Sequence, residues 1–268
     1  MQFQAGCDLG YRVPEWCTFL FSVAAEHGGC QRVDDEQLTI EPSVSADWLL
    51  MPDSGNRCVR LMYGPGTLRL RYRATVTAGL VGHVPAGVLP YLLPSRYCPS
   101  DQLLDFAGAT FGHGAPGYAL AASICDWVST SISYRVETSN SATTALETIR
   151  AGEGVCRDFA HLGIALSRAV NLPARFVTAY ACGLEPQDFH AMYEVWLGDR
   201  WYLFDPTRHA RLPAVVRIGT GRDAADAPFA NIVGPAVMTD MDVFIAPVGD
   251  GEQPAATTLA VSNAAAGE

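Results

Sequence analysis

Asp188-Phe-His190-Ala-Met-Tyr-Glu-Val-Trp196-Leu-Gly198-Asp199-Arg-Trp201-Tyr-Leu-Phe204-Asp205-Pro-Thr207 is the stretch whose reading decides the fold. His190–Trp196 and Trp201–Phe204 are strand-like runs around Gly198-Asp199, a pair suited to a two-residue hairpin turn. In the first run Ala191, Tyr193 and Val195 alternate with Met192, Glu194 and Trp196, the period of a strand. With Gly198-Asp199 as the loop, opposed residues have numbers that add to 397. His190 then faces Thr207, and Asp205 faces Met192. His190 and Asp205 fall diagonally on one face, about 7–8 Å apart at the backbone and within side-chain reach. A one-residue change in the loop would send Asp205 to the other face. Pro206 cannot continue the ladder and stops it.

Working back, Gly152-Glu-Gly154-Val-Cys156-Arg-Asp-Phe-Ala-His161 is a loop turning into a helix. Phe159, Leu162, Gly163, Leu166 and Val170 mark its buried face, and Pro173 ends it. Arg175–Ala181 reads as the next strand. A cysteine at a helix start meets unsatisfied amides and the positive end of the dipole, which favour thiolate over thiol. The same amides can hold an oxyanion. Cys156, His190 and Asp205 therefore supply a thiol, an imidazole and a carboxylate, the three parts of a cysteine acyl-transfer site. Taken singly, Cys156 is equally readable as a buried helix cysteine, His190 as a structural histidine and Asp205 as a turn residue. The hairpin register is what joins the last two. His161, five residues after Cys156 and roughly 140° around the helix, reads as a packing or hydrogen-bonding residue. His209 follows Asp205 too closely to share its role, and His27, His83 and His113 lack supporting context. A metal site from Cys156, Asp158 and His161 would want a fourth ligand at recognised spacing.

Towards the N-terminus the chain reads as β structure. Thr18–Ala24, Gln37–Ile40 and Cys58–Met62 are strand-like, and Asp53-Ser-Gly-Asn56 supplies a turn. Leu68, Leu70, Tyr72, Ala74 and Val76 alternate with Arg69, Arg71, Arg73, Thr75 and Thr77. That pattern predicts a strand with one buried face and one cationic, solvated face. Ala78–Pro99 is rich in Gly and Pro and reads as a connection. Helices are expected to start over Asp101–Phe106, with Ser100 or Asp101 as the cap, and to run over Tyr118–Ile132 and Thr144–Arg150, the last ended by Gly152 and Gly154. Ala214–Ile218 and Val243–Pro247 read as later strands, and the Ala- and Gly-rich tail from Gly249 as mobile.

The chain has 268 residues, 49% of them hydrophobic and 17% charged, with a formal charge of −10. That excess of acid argues against nucleic acid as a partner. All 18 basic residues are arginine, so the chain itself would be a poor amine acceptor in a cross-linking reaction. Its 8 cysteines form no Cys-x-x-Cys pair and match no zinc spacing. Trp16–Ala25 is short and flanked by Glu15 and Glu26, unlike a signal peptide, and no run reaches transmembrane length. The expectation is a cytoplasmic protein with no membrane partner, its other cysteines acting mainly as small core hydrophobes. No cofactor or metal is expected. Asp223, Asp226, Asp240 and Asp242 lack the ordered spacing of a calcium loop and read as solvated carboxylates.

From Tyr118 to Thr207 the chain resembles the transglutaminase-like superfamily, in particular its bacterial transglutaminase-like cysteine peptidase group. The resemblance rests on Gly154-Val-Cys-Arg-Asp-Phe-Ala-His161, Leu172-Pro-Ala-Arg-Phe-Val177, Asp188-Phe-His-Ala191 and Trp201–Thr207. Leu92-Leu-Pro-Ser-Arg-Tyr-Cys98, Gly221-Arg-Asp-Ala-Ala-Asp-Ala-Pro228 and the β-rich start extend it. It implies an α+β fold: a papain-like transglutaminase core, its nucleophile helix packed on an antiparallel sheet, preceded by a β-rich N-terminal domain. The corresponding division is 1–99, 100–248 and a tail at 249–268. Cys156 carries over as nucleophile, His190 as general base and acid, and Asp205 as orienting carboxylate. Met192 stands where many relatives have Trp. The family also needs a second oxyanion donor, often an upstream aromatic. Trp127 and Tyr134 are the candidates, although both suit a core position better. The implied function is cysteine-dependent acyl transfer or hydrolysis at a peptide or protein amide bond. The alternatives are a non-catalytic binding protein of the same fold, or a redox-sensing thiol protein with Cys182 as the resolving cysteine.

Overall fold

The computed structural model describes residues 1–28, 31–51, 54–78, 87–112, 117–198, 200–248 and 261–262. Six strands come first: β1 (Gln2–Val13), β2 (Cys17–Phe21), β3 (Gln31–Glu41), β4 (Ala46–Leu50), β5 (Arg57–Tyr63) and β6 (Gly66–Ala78). Short 3-10 turns at Leu89–Leu92 and Ser100–Gln102 lead to α1 (Leu104–Phe111) and α2 (Tyr118–Ser131). Then follow β7 (Ser133–Tyr134), α3 (Ala145–Ala151), β8 (Glu153–Gly154) and α4 (Cys156–Ala169). The last strands are β9 (Ala174–Ala181), β10 (Phe189–Leu197), β11 (Arg200–Phe204), β12 (Val215–Gly221), β13 (Ala230–Val233), β14 (Val237–Pro247) and β15 (Val261–Ser262). The result is a transglutaminase-like α+β core with a β-rich N-terminal region.

The N-terminal strands form two antiparallel sheets, in the orders β14-β1-β6-β3 and β13-β2-β5-β4. The expected alternation of β6 holds, with Leu68, Leu70, Tyr72, Ala74 and Val76 all buried. Its arginine face is not simply solvated. Arg69 forks onto Asp8 at 2.6 and 2.9 Å, and Arg71 bridges Asp8 and Glu41, so neighbouring strands neutralise the charge. β1, absent from the sequence expectations, is the strand that supplies Asp8. It lies between β14 and β6 and buries Phe3, Ala5, Cys7, Leu9, Tyr11 and Val13. β13 and β14 come from late in the chain, yet pair with β2 and β1.

The core sheet runs β12-β9-β10-β11-β15, antiparallel throughout. Trp196 opposes Trp201 and Tyr193 opposes Phe204, the register derived from a two-residue loop. Asp199 lies outside the described residues. α4 lies on this sheet with every residue from Asp158 to Arg168 buried. Gly163 permits the approach: a Cβ there would meet the Tyr193 ring at 2.6 Å. Leu162, Ile164 and Leu166 are buried in the cluster beneath the helices, each worth about 1.5–3 kcal/mol. The Asp101 helix begins later than expected, as α1, and neither Ser100 nor Asp101 caps it with a side chain. Thr144 does cap α3, through a reciprocal pair with Glu147. Of the tail, Val261 and Ser262 pair with Leu203 and Tyr202 of β11; residues 249–260 and 263–268 lie outside the described residues. Among the described residues no helix is long and apolar enough to cross a membrane.

Candidate active site

Cys156 is the first residue of α4. The turn before it is held by Asp158, which is buried and accepts the Val155 N–H at 2.9 Å. A carboxylate inside the first turn satisfies a loose donor and complements the dipole. Gly154 is required by the same contact, since a Cβ there would meet the Asp158 side chain at 2.8 Å. Asp158 is thus committed to shaping the loop rather than to a metal. Among the described residues Cys156 differs from the other cysteines in exposure: Cys7, Cys17, Cys58, Cys98, Cys125 and Cys182 are buried, and Cys156 is partly open. Burial pushes the Cys7 and Cys125 thiols up to about 12, which makes them inert. Cys182 packs with the N-terminal sheets, whereas Cys156 packs against the helical cluster.

The hairpin brings His190 and Asp205 together. His190 Nε2 lies 3.2 Å from Asp205 Oδ2, both residues being buried. Asp205 is saturated by other donors. Its Oδ1 accepts the Thr207 N–H at 3.0 Å and the Thr207 hydroxyl at 2.7 Å, and its Oδ2 accepts the Ala210 N–H at 2.9 Å. Burial alone would raise its pKa. The His190 charge and these hydrogen bonds outweigh that and hold it below the usual carboxylate range. For His190 burial favours the neutral form, but the Asp205 charge and hydrogen bond, followed by the Cys156 side chain, raise its pKa. With Nε2 engaged by Asp205, Nδ1 is the nitrogen left for the nearby Cys156 thiol.

Tyr134 joins the same site. β7 and β8 form a two-residue parallel pair in which Tyr134 opposes Gly154, two residues before Cys156. The Tyr134 phenol lies close enough to Cys156 for that residue to be the strongest influence on it after burial. Partial burial, then the neighbouring Cys156, pushes that phenol up to about 12, so it keeps its proton as a donor. Tyr134 is 41% exposed and its ring packs beside Phe159 and His209. Trp127 is instead part of the core, edge-on to Phe106 and Phe111. The core reading of Tyr134 is therefore corrected. The only sequence signal for it was its aromatic character upstream of the cysteine.

His161 is buried and turned away from this chemistry. Its ring stacks on Tyr97, and Nε2 accepts the Ala224 N–H at 3.1 Å. Burial, then Arg157 and Arg168, lowers its pKa well below the ordinary imidazole value. Asp223, expected to be solvated, is buried. It accepts the Tyr97 N–H at 2.9 Å through Oδ2 and the Ala225 N–H at 2.9 Å through Oδ1, because the 222–227 turn needs those caps. Asp226 pairs with Arg222. Among the described residues no cluster of His, Cys, Asp or Glu is suited to a metal ion. His83 and His113 lie outside the described residues. A cleft of about 610 Å³ opens over Cys156 and His190, so a thiol and an imidazole with a fixed ring face a space sized for a substrate side chain and backbone.

Residues 105–206 match the model of the transglutaminase-like superfamily core, and residues 1–81 match that of the bacterial transglutaminase N-terminal domain. The crystal structure of a "putative cysteine protease" from Cytophaga hutchinsonii superposes with a TM-score of 0.90 at 38% identity, covering 97% of this chain and 96% of that one. An uncharacterized protein of Mycobacterium leprae is 26% identical over 167 residues, 58% of this chain and 58% of its own length. One of Mycobacterium bovis is 28% identical over 182 residues, 62% of this chain and 57% of its own length. The chain thus spans less than two thirds of the length of the curated relatives it matches.

Proposed function

The chain belongs to the transglutaminase-like superfamily, and from that premise we propose that it cleaves an amide bond through a thioester on Cys156. The observation that carries the reading is the meeting of Cys156 and His190, the latter backed by buried Asp205, on one cleft, with Tyr134 beside Cys156. The Cys156 thiol gives its proton to His190 Nδ1, and the sulfur attacks the carbonyl carbon. Charge develops on the carbonyl oxygen, where the Cys156 N–H and the Tyr134 hydroxyl would receive it. The C–N bond breaks as His190 returns its proton to the departing amine. Water, losing a proton to His190, then attacks the thioester and releases the acid and the thiol. Asp205 keeps the ring oriented and stabilises its charged form throughout.

Water is favoured over an amine as the second reactant because the Cytophaga hutchinsonii relative, alike over nearly its whole length, carries the name "putative cysteine protease". A screen of peptide and protein amides, run with and without a primary amine and comparing the wild type with Cys156→Ala, tests the proposal. Turnover should fall about 10⁴-fold or more in the variant. Turnover unchanged in Cys156→Ala would overturn the thioester mechanism, and product that requires the amine would replace hydrolysis by transfer.

A further inference from the structure

The lining of the cleft has a charge opposite to that of the chain. The whole sequence carries −10, yet the cleft is lined by Arg96 and Arg157 against one acid, Asp188. Asp188 is partly satisfied locally, its Oδ1 accepting the Phe189 N–H at 2.6 Å, and burial raises its pKa. Arg96 is exposed and rests over the Tyr97 ring, 5.0 Å from its centroid. Among the described residues it has no carboxylate partner within 4.0 Å. Arg157 donates to the Asn140 carbonyl and reaches Asp158 only at 3.5 Å, while its Nε is buried with no hydrogen-bond partner. Other arginines of this acid-rich chain sit closer to their carboxylates, as Arg57 does to Glu36 and Arg175 to Glu194, both at 2.7 Å. Much of the remaining cleft is apolar, with Phe229, Met238 and Met241 supplied by the late segment that returns to the N-terminal sheets.

We infer that the cleft selects substrates that carry a carboxylate near the scissile amide, received by Arg96 and Arg157. A guanidinium presents paired N–H donors in the geometry of a carboxylate, and a low-dielectric cleft with a cationic lining concentrates anions. The inference rests on the acyl-transfer reading of Cys156. The carboxylate is either an Asp or Glu side chain or a chain terminus. Arg96 touches no residue of the proposed proton relay, so its substitution leaves the thiol chemistry intact.

The test is alkylation of Cys156 in the full chain by iodoacetate and by iodoacetamide, followed by mass spectrometry. The two probes differ by one carboxylate. Arg96→Ala and Arg96→Glu should keep the iodoacetamide rate, while the iodoacetate-to-iodoacetamide ratio falls about three-fold and about ten-fold. The same ratio should fall with added salt. Ratios equal to wild type in both variants would overturn the inference while leaving Cys156 reactive. Failure of both reagents to label Cys156 would remove the acyl-transfer reading, and this inference with it. Protection of Cys156 against iodoacetamide then distinguishes the sources. A glutamate peptide with a blocked terminus and a neutral peptide with a free terminal carboxylate are compared. Protection by one of them identifies where the carboxylate lies, and protection by neither counts against the inference.

Discussion

Strand β10 carries two buried charge clusters four residues apart, one at His190 and one at Glu194. Glu194 is fully buried between Arg175 and Arg217. Its Oε2 accepts Arg175 Nε at 2.7 Å, and its Oε1 accepts Arg217 Nε at 3.1 Å and Nη2 at 2.6 Å. Arg175 in turn lies 4.3 Å from the Trp201 ring centroid. Around His190 the carboxylate is equally well served, but the chain of partners does not close on itself. It ends at a partly open thiol on the wall of a cleft. Both clusters shift pKa values strongly, so perturbed titration alone would not separate a brace from a site. What separates them is that one network is saturated and the other leaves a nucleophile facing space.

The two clusters can be broken independently. Asp205→Asn removes the charge that orients and stabilises imidazolium, and activity per folded molecule should fall about 10³- to 10⁴-fold. Glu194→Ala strands two buried arginines and should cost about 3–5 kcal/mol of stability, read from denaturant midpoints. Activity per folded molecule should stay within about three-fold of wild type, the expectation for a residue outside the reacting shell. A loss of specific activity in Glu194→Ala as deep as that in Asp205→Asn would erase the distinction. The pH dependence sharpens it. Burial raises the Glu194 pKa, but the arginine charges and hydrogen bonds prevail and bring it from 4.5 to about 2. A carboxylate depressed in the folded state gives stability that is present above its unfolded pKa and lost as pH falls through the folded one. The stability gap between wild type and Glu194→Gln should therefore be full at pH values above about 5 and shrink between about 4.5 and 2. A gap that is flat across that window would mean Glu194 does not titrate as the arginines imply.

The core was legible where order along the chain is local. The hairpin register follows from a two-residue loop and a period of two, and it alone brings His190 to Asp205. α4 was legible because Phe159, Leu162 and Leu166 recur at helical spacing up to Pro173. What the residues did not disclose depends on pairing across long separations. β1 has a regular alternation, but its inward positions include Ala5 and Cys7, small side chains that signal a strand weakly. It is a strand because β6 and β14 lie on either side of it. β13 and β14 return to sheets begun some two hundred residues earlier, and no local pattern specifies that partner. Tyr134 is the instructive case in the site itself. A two-residue parallel pair with Glu153-Gly154, not helical spacing, carries it out of the core and beside Cys156.

Tyr134→Phe is the smallest of these perturbations and the one that assigns a role most narrowly. The variant removes one oxygen and keeps the ring, so the contacts with Phe159 and His209, at 5.9 and 4.7 Å between centroids, are retained. If the phenol donates to the developing oxyanion, turnover should fall about 10²-fold with KM little changed, the usual cost of losing one such donor. Alkylation of Cys156 by iodoacetamide passes through no oxyanion, and its rate should stay within about two-fold of wild type because transition-state hydrogen bonds of this kind are not called on. The phenol also lies close to the Cys156 side chain, which gives a distinct competing role. A variant that alkylates as slowly as it turns over would show that Tyr134 acts by conditioning the thiol. Equal turnover in Tyr134→Phe and wild type would leave the Cys156 amide to hold the oxyanion without it.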